Sequence, residues 1–288
     1  MTAAVRTVVV TGAAGQLGRE VVARFEADPA WRVEACDRSR LDLASRDSVL
    51  GAITGIAPDA VVHGGAWTAV DACEGDVDRA LAINALGTRH VADAARRVGA
   101  HVTYISTDYV FSGDKATPYH EWDETGPRSA YGASKLGGER ELDPGSTIVR
   151  TSWVFGQHGA NMVKTILRLA TEGTGALTFV DDQHGCPTSA ADLAGMVHHL
   201  VGATVPGTFH VTNQGATTWF DFARDVVALA GEDPGRVHPV ATADLVPARP
   251  APRPVNSVLD GAALRLTGIP LLPDHHEPLG ALVRELRS

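Results

Sequence analysis

Near its start the chain carries a β-branched run, Thr7-Val8-Val9-Val10-Thr11, with no charged interruption. A strand covered on one face alternates apolar and polar residues, whereas an unbroken run is expected of a parallel strand covered on both faces. Gly12 to Gly18 then turns the chain, and Arg19 to Ala27 has helical periodicity. The alternation continues with a strand over Trp31–Ala35 that ends in Cys36-Asp37, and a helix over Ser45–Ile53. A strand over Asp59–His63, a long helical stretch over Val77–Val98 and a strand over His101–Ser106 follow. This order predicts an α/β fold, a doubly wound parallel sheet joined by right-handed crossovers. A polar loop from Ser112 to Arg128 leads into a helix through Tyr131 to about Leu142, and then a strand over Ser146–Arg150. Beyond it the pattern loosens, with helices near Asn161–Thr171, Ala190–Val201 and Trp219–Ala230. Five prolines between Pro239 and Pro254 predict a loop. The expected division is a sheet domain over residues 1–150 and a smaller region over 151–288, part of which returns to complete the sheet.

The 288 residues can bury a sizeable core, and 44% hydrophobic with 20% charged residues is an ordinary globular composition. A net charge of −9 argues against general binding to nucleic acid or anionic membranes, though a phosphorylated ligand needs only local donors. Cys36, Cys73 and Cys186 are far apart and odd in number, which fits a reducing compartment. No stretch reaches the roughly eighteen apolar residues of a membrane span, and the first ten residues lack the features of a signal peptide. A cytoplasmic location is expected.

Three places carry chemistry. In Thr11-Gly12-Ala13-Ala14-Gly15-Gln16-Leu17-Gly18 the glycines let the backbone turn tightly and approach a pyrophosphate. The helix that follows offers free N–H groups to the phosphates, so a Rossmann-type dinucleotide site is expected here. Asp37, at the end of the second strand, can accept from ribose hydroxyls and would favour NADH. Arg38 beside it suits a 2′-phosphate and would favour NADPH, which leaves cofactor preference open. Asp42-Leu43 can flank an adenine. Second, Ser106-Thr107-Asp108-Tyr109-Val110-Phe111 ends a sheet strand, the place where ligands bind in open α/β sheets. Third, Tyr131 and Lys135 stand four apart on a helix and share a face. A fixed cation can lower the phenol from its usual pKa of about 10, and the Thr107 hydroxyl can meet the same carbonyl oxygen.

Glycine turn, strand-end hydroxyl and Tyr-x-x-x-Lys together resemble the extended short-chain dehydrogenase/reductases. Within them, nearly the whole chain is similar to the dTDP-4-dehydrorhamnose reductase family. The likeness runs through Cys36–Asp42, Trp67–Asp71 with Glu74, Thr107–Phe111, Tyr131–Glu139, Arg150–Phe155 and Arg253–Ser257. The resemblance implies reduction by NADPH or NADH of the C4 ketone of a dTDP-linked 4-ketosugar, with Thr107, Tyr131 and Lys135 as the catalytic trio. It implies that Thr68, Val70, Asp108, Tyr109 and Trp153 line the sugar-nucleotide site, and that Gly64-Gly65-Ala66 borders the cofactor. His63 stands where the family has asparagine, which bears on cofactor packing more than on reaction type. Some members use a divalent cation such as Mg through glutamates at a homodimer interface; the sequence places no ligands for one.

Related dehydratases carry an Asp-Glu pair after the strand-end threonine, where this chain has Asp108-Tyr109. Related 4-epimerases are generally longer and lack the Thr107–Phe111 block. A 4-ketoreductase of another dTDP-deoxysugar, or a non-catalytic NADP-binding regulatory subunit on the same fold, are the remaining alternatives. Arg253 is expected to meet a substrate diphosphate through bidentate contacts. Lys164 and Arg168 could do so too, though they read equally well as a solvated face. The run Asp274-His275-His276-Glu277 reads as solvated rather than metal-binding.

Overall fold

The computed structural model of the chain describes residues 4–288. Six strands form one parallel sheet: β1 (Arg6–Thr11), β2 (Trp31–Cys36), β3 (Ala60–His63), β4 (His101–Thr107), β5 (Thr147–Thr151) and β6 (Gly207–His210). Their order is β6-β5-β4-β3-β1-β2. The later chain thus returns to the sheet through β6, as expected, pairing Thr208 with Ile148 and Phe209 with Val149. The boundary expected at residue 150 falls inside β5.

The unbroken apolar strands have the expected cause. Val8, Val10, Ala60, Val62 and Val149 bury themselves in one core, while Val9, Val61 and Val102 face the other way into a second. Full burial of one such side chain contributes about 1.5–3 kcal/mol. The first core is covered by α1 (Gln16–Glu26), the second by α2 (Arg46–Ile56) and α3 (Gly87–Val98). The long helix expected over Val77–Val98 is helical throughout, but Ala82–Leu86 forms a π turn within it. Asn84 of that turn binds the Trp67 backbone through both side-chain ends and donates to Ser134 Oγ.

The helix with the Tyr-x-x-x-Lys motif, α4 (Ala130–Glu139), starts where Ser129 caps it by accepting from Gly132 N. Glu74 fixes the same end by accepting from Ala130 N at 2.8 Å. The helix stops at Glu139, short of Leu142, as the chain turns toward Asp143-Pro144-Gly145. Glu139 and Arg150 of β5 form a buried bidentate pair at 2.7 and 2.9 Å, which ties the end of α4 to the sheet. The later helices α5 (Met162–Glu172), α6 (Ala190–Ala203), α7 (Trp219–Leu229) and α8 (His276–Arg287) divide in two. Leu193, Val197 and Leu200 of α6 join the first core, whereas α5, α7 and α8 build a separate one with Phe155 and Phe222. Pro239 is not in a loop: Val237–Val240 pairs with Leu177–Val180 as a two-stranded edge, which tolerates proline.

Candidate active site

The order of strands reverses between β1 and β3, and a crevice is expected at their carboxyl ends. A cavity of about 940 Å³ opens there. On one side it is lined by the Gly12–Gly18 turn, Asp37, Arg38 and Gly64-Gly65-Ala66. On the other stand Thr68, Val70, Asp108, Tyr109, Tyr131, Lys135 and Trp153. Gly12 has φ +68°, and a Cβ there would come within 2.8 Å of Gly65, so the two loops touch through bare backbone. Gly18 packs tighter still, its absent Cβ falling 2.1 Å from Gly12 O. Gly15, at the N-cap of α1, supplies no side-chain cap, so the first N–H groups of the helix remain free toward the cavity. The Gln16 side chain is committed elsewhere, donating to Val154 O and accepting from Asn161. Bare backbone and free helix donors fit a dinucleotide pyrophosphate, with Arg38 beside them on the same side of the cavity.

His63 braces this turn from beneath. Thr88 gives its own proton to Asn84 O, so its oxygen accepts from His63 Nε2 at 3.1 Å. His63 Nδ1 is then the acceptor for Thr11 Oγ1 at 2.7 Å, and Thr11 Oγ1 in turn accepts from Gly65 N. Burial and the Lys135 charge pull the imidazole down to about 3, which keeps it neutral.

Tyr131 and Lys135 are buried on one face of α4 as the spacing predicts, but their electrostatics differ from expectation. Burial pushes the Tyr131 phenol up, with only a Thr107 hydrogen bond to offset it. Lys135 donates to Ile105 O at 2.7 Å and lies 4.0 Å from the Tyr104 ring centre. Burial pulls its ammonium down to about 7, against an opposing effect of Glu139. Desolvation therefore dominates both groups, and the phenol stays protonated. Thr107 is buried just behind the lining and donates to Asp108 Oδ1 at 2.9 Å. Asp108 is pushed up to about 6 by its burial, and its Oδ2 has no partner among the described residues.

Some expected residues stand apart. Arg253 does not line the cavity: its guanidinium grips Asp71 at 2.5 and 2.8 Å, so its fork is taken up within the protein. Asp37 lines the cavity, but its Oδ1 caps the next turn through Ser39 and Arg40. Asp42 and Leu43 border an adjoining pocket of about 190 Å³ with Arg38, Trp67 and Arg79. Lys164 is taken up by the carbonyls of Gln157 and Gly159, and Arg168 pairs with Glu172.

Trp153 lies on the cavity wall, where the resemblance implies it, but its neighbour Trp219 carried no sequence signal of its own. Trp153 has φ +47°, held by Ser152 Oγ on Cys186 O and by Thr188 N on its own carbonyl. Its ring stacks on Trp219, centroids 3.7 Å apart and planes 9° off parallel. Phe155, Met162 and Phe222 complete this wall, and Thr151 adds a buried hydroxyl without a partner among the described residues.

Fold and cavity together define a short-chain dehydrogenase/reductase-type nucleotide-binding protein. Residues 6–288 match the RmlD substrate binding domain family. The chain is 43% identical to the dTDP-4-dehydrorhamnose reductase of Streptomyces griseus, over 91% of this chain and 88% of the relative. It is 41% identical to a probable dTDP-4,6-dihydroxy-2-methyloxan-3-one 4-ketoreductase of Streptomyces antibioticus, over 94% and 92%. The crystal structure of a dTDP-4-dehydrorhamnose reductase of Bacillus anthracis in complex with NADP superposes with a TM-score of 0.92 at 38% identity. That match covers 97% of this chain and 99% of the other. The chain belongs to the dTDP-4-dehydrorhamnose reductase family. No described helix is long and apolar enough to cross a membrane.

Proposed function

We propose that this chain is an NADPH- or NADH-dependent reductase of the C4 ketone of a dTDP-6-deoxy-4-ketohexose, with dTDP-4-dehydrorhamnose giving dTDP-L-rhamnose as the leading substrate. What carries this reading is that Tyr131 and Lys135 line the same cavity as the Gly12–Gly18 turn. Residues 1–150 would chiefly hold the cofactor and residues 151–288 much of the substrate. The free N–H groups of α1 would take the pyrophosphate, and Arg38 a 2′-phosphate. When bound, the reduced nicotinamide supplies the hydride that C4 receives.

The protein's own residues then handle position and proton. Tyr131, kept protonated by its burial, gives its proton to the developing C4 alkoxide. The ammonium of Lys135 favours the phenolate left behind. Thr107, held at the end of β4, would give up its bond to Asp108 Oδ1 and turn its hydroxyl to the ketone oxygen, where stabilisation grows with the charge. Trp153 and Trp219 offer a flat apolar wall to the sugar nucleotide. Arg253 would orient substrate indirectly, by bracing Asp71 beside Val70.

The two Streptomyces relatives are almost equally similar at 43% and 41%, so the ketosugar must be settled by assay. A panel of dTDP-4-ketosugars with NADH and NADPH, with C4 configuration read by NMR, tests the proposal. Stoichiometric cofactor oxidation with at least one ketosugar is expected. Tight cofactor binding without turnover on any of them would favour a regulatory subunit.

A further inference from the structure

A second constellation of titratable side chains surrounds the start of α8. The run Asp274–Glu277 is not simply solvated, because His275 is only 1% exposed. Its Nδ1 lies 3.1 Å from Gln214 O. A carbonyl can only accept, so Nδ1 carries the proton and Nε2 presents a lone pair. That buried Nε2 has no hydrogen-bond partner among the described residues. His276 repeats the arrangement on the neighbouring ring. Its Nδ1 is 2.6 Å from Asp274 Oδ1, which leaves Nε2 directed at Asp225 Oδ2, 3.3 Å away. Ligand atoms of Asp225, His275 and His276 all lie within 4.8 Å of one another.

Histidines that bind a metal through one nitrogen commonly donate the other N–H to a carbonyl or carboxylate, which fixes tautomer and ring orientation. Both rings already have that partner. A proton on His276 Nε2 would satisfy its contact with Asp225 but would leave His275 Nε2 as it is. We propose that Asp225, His275 and His276 form a structural site for a divalent ion of the zinc class, with water completing four-coordination. Two imidazoles and one carboxylate suit such ions, whereas magnesium and calcium take oxygen ligands. The site is therefore different in kind from a glutamate-held magnesium.

Its position gives it a task. Asp225 lies on α7 and His275 is the N-cap residue of α8, so the ion ties these two helices together. Phe222, one turn before Asp225, packs its ring 6.0 Å from that of His275 and lines the catalytic cavity. Trp219 begins the same helix and stacks on Trp153. An ion here fixes the helix that carries the substrate wall.

The test uses the full chain, free of affinity tag, stripped with a chelator and titrated with Co²⁺ alone. One equivalent is expected to bind with the intense visible bands of a tetrahedral nitrogen and oxygen site. Zn²⁺ should displace it and raise Tm. His276→Ala and Asp225→Asn, both outside the core, should lose the stoichiometric binding and the Tm rise. Asp274→Ala, which removes the acceptor of both His276 Nδ1 and the His276 backbone N–H, should weaken binding by about tenfold or more. In the wild-type protein, Zn²⁺ should shift the Nε2 resonances of His275 and His276 and spare the other histidines, a readout that needs no variant. Absence of one-equivalent binding, binding unchanged in His276→Ala, or shifts confined to other histidines would overturn the site.

Discussion

On the floor of the cavity the chain touches itself through bare backbone, Gly12 against Gly65 and Gly18 against Gly12, all within segments that read as strand ends and turns. On the opposite wall the contact is between large rings, Trp153 on Trp219, that lie 66 positions apart in sequence and come from a strained backbone and a distant helix. The floor can do little but hold an extended, charged ligand against helix donors. The wall is a side-chain surface that substitution can reshape without disturbing the sheet. The difference suggests how one fold keeps its cofactor while relatives reduce different ketosugars. Tyr131, Lys135, Thr107 and Asp108 stand on the seam between the two.

The seam offers the sharpest break. Tyr131→Phe is expected to lower kcat by about 10²–10⁴-fold, the range for a lost general acid, while cofactor Kd changes little. Near-wild-type turnover would place the proton donor elsewhere. Asp108 comes next. Its folded pKa of about 6 lies above the ordinary 3.8, so the folded state binds more protons between those values and stability falls as pH rises through them. The penalty is absent below about pH 4 and complete above about pH 6, on the order of 3 kcal/mol. Denaturant titrations from pH 4 to 7 should show Asp108→Asn gaining on the wild type across that window; parallel curves would mean that Asp108 ionises freely.

The floor and wall can be separated directly. Gly18→Ala forces a Cβ to 2.1 Å from Gly12 O, against backbone that cannot swing aside. A stability loss of about 1–3 kcal/mol and weaker cofactor binding are expected, read by Tm and by fluorescence titration with NADPH. Trp219→Ala should cost about 0.5–1.5 kcal/mol of ketosugar binding, a two- to tenfold rise in KM, with cofactor Kd within twofold of wild type. If both variants lost cofactor and sugar alike, floor and wall would be one unit.

Much of the floor and part of the seam could be read from the sequence, because their determinants are local. Val8–Val10, the glycines at 12, 15 and 18, and the four-residue spacing of Tyr131 and Lys135 each imply geometry from neighbours alone. What escaped depends on the tertiary surroundings. Burial, not the neighbouring cation, decides the Tyr131 and Lys135 titrations, and desolvation leaves no trace in spacing. Arg253 looked free for a diphosphate because Asp71, which takes up its guanidinium, lies 182 positions away. Trp219 carried no signal because its partner Trp153 turns toward it only through a positive φ that Ser152 and Thr188 hold in place. His275 read as solvated for the same reason: the carbonyl that orients it belongs to Gln214, 61 positions earlier.

The most direct test of the reductase reading follows the hydride itself. NADPH deuterated at C4 of the nicotinamide is incubated with the chain and dTDP-4-dehydrorhamnose, and the product is examined by NMR. One deuterium at sugar C4 for each NADPH consumed is the expected result. Unconsumed cofactor with every dTDP-4-ketosugar tried, or label at a carbon other than C4, would contradict it.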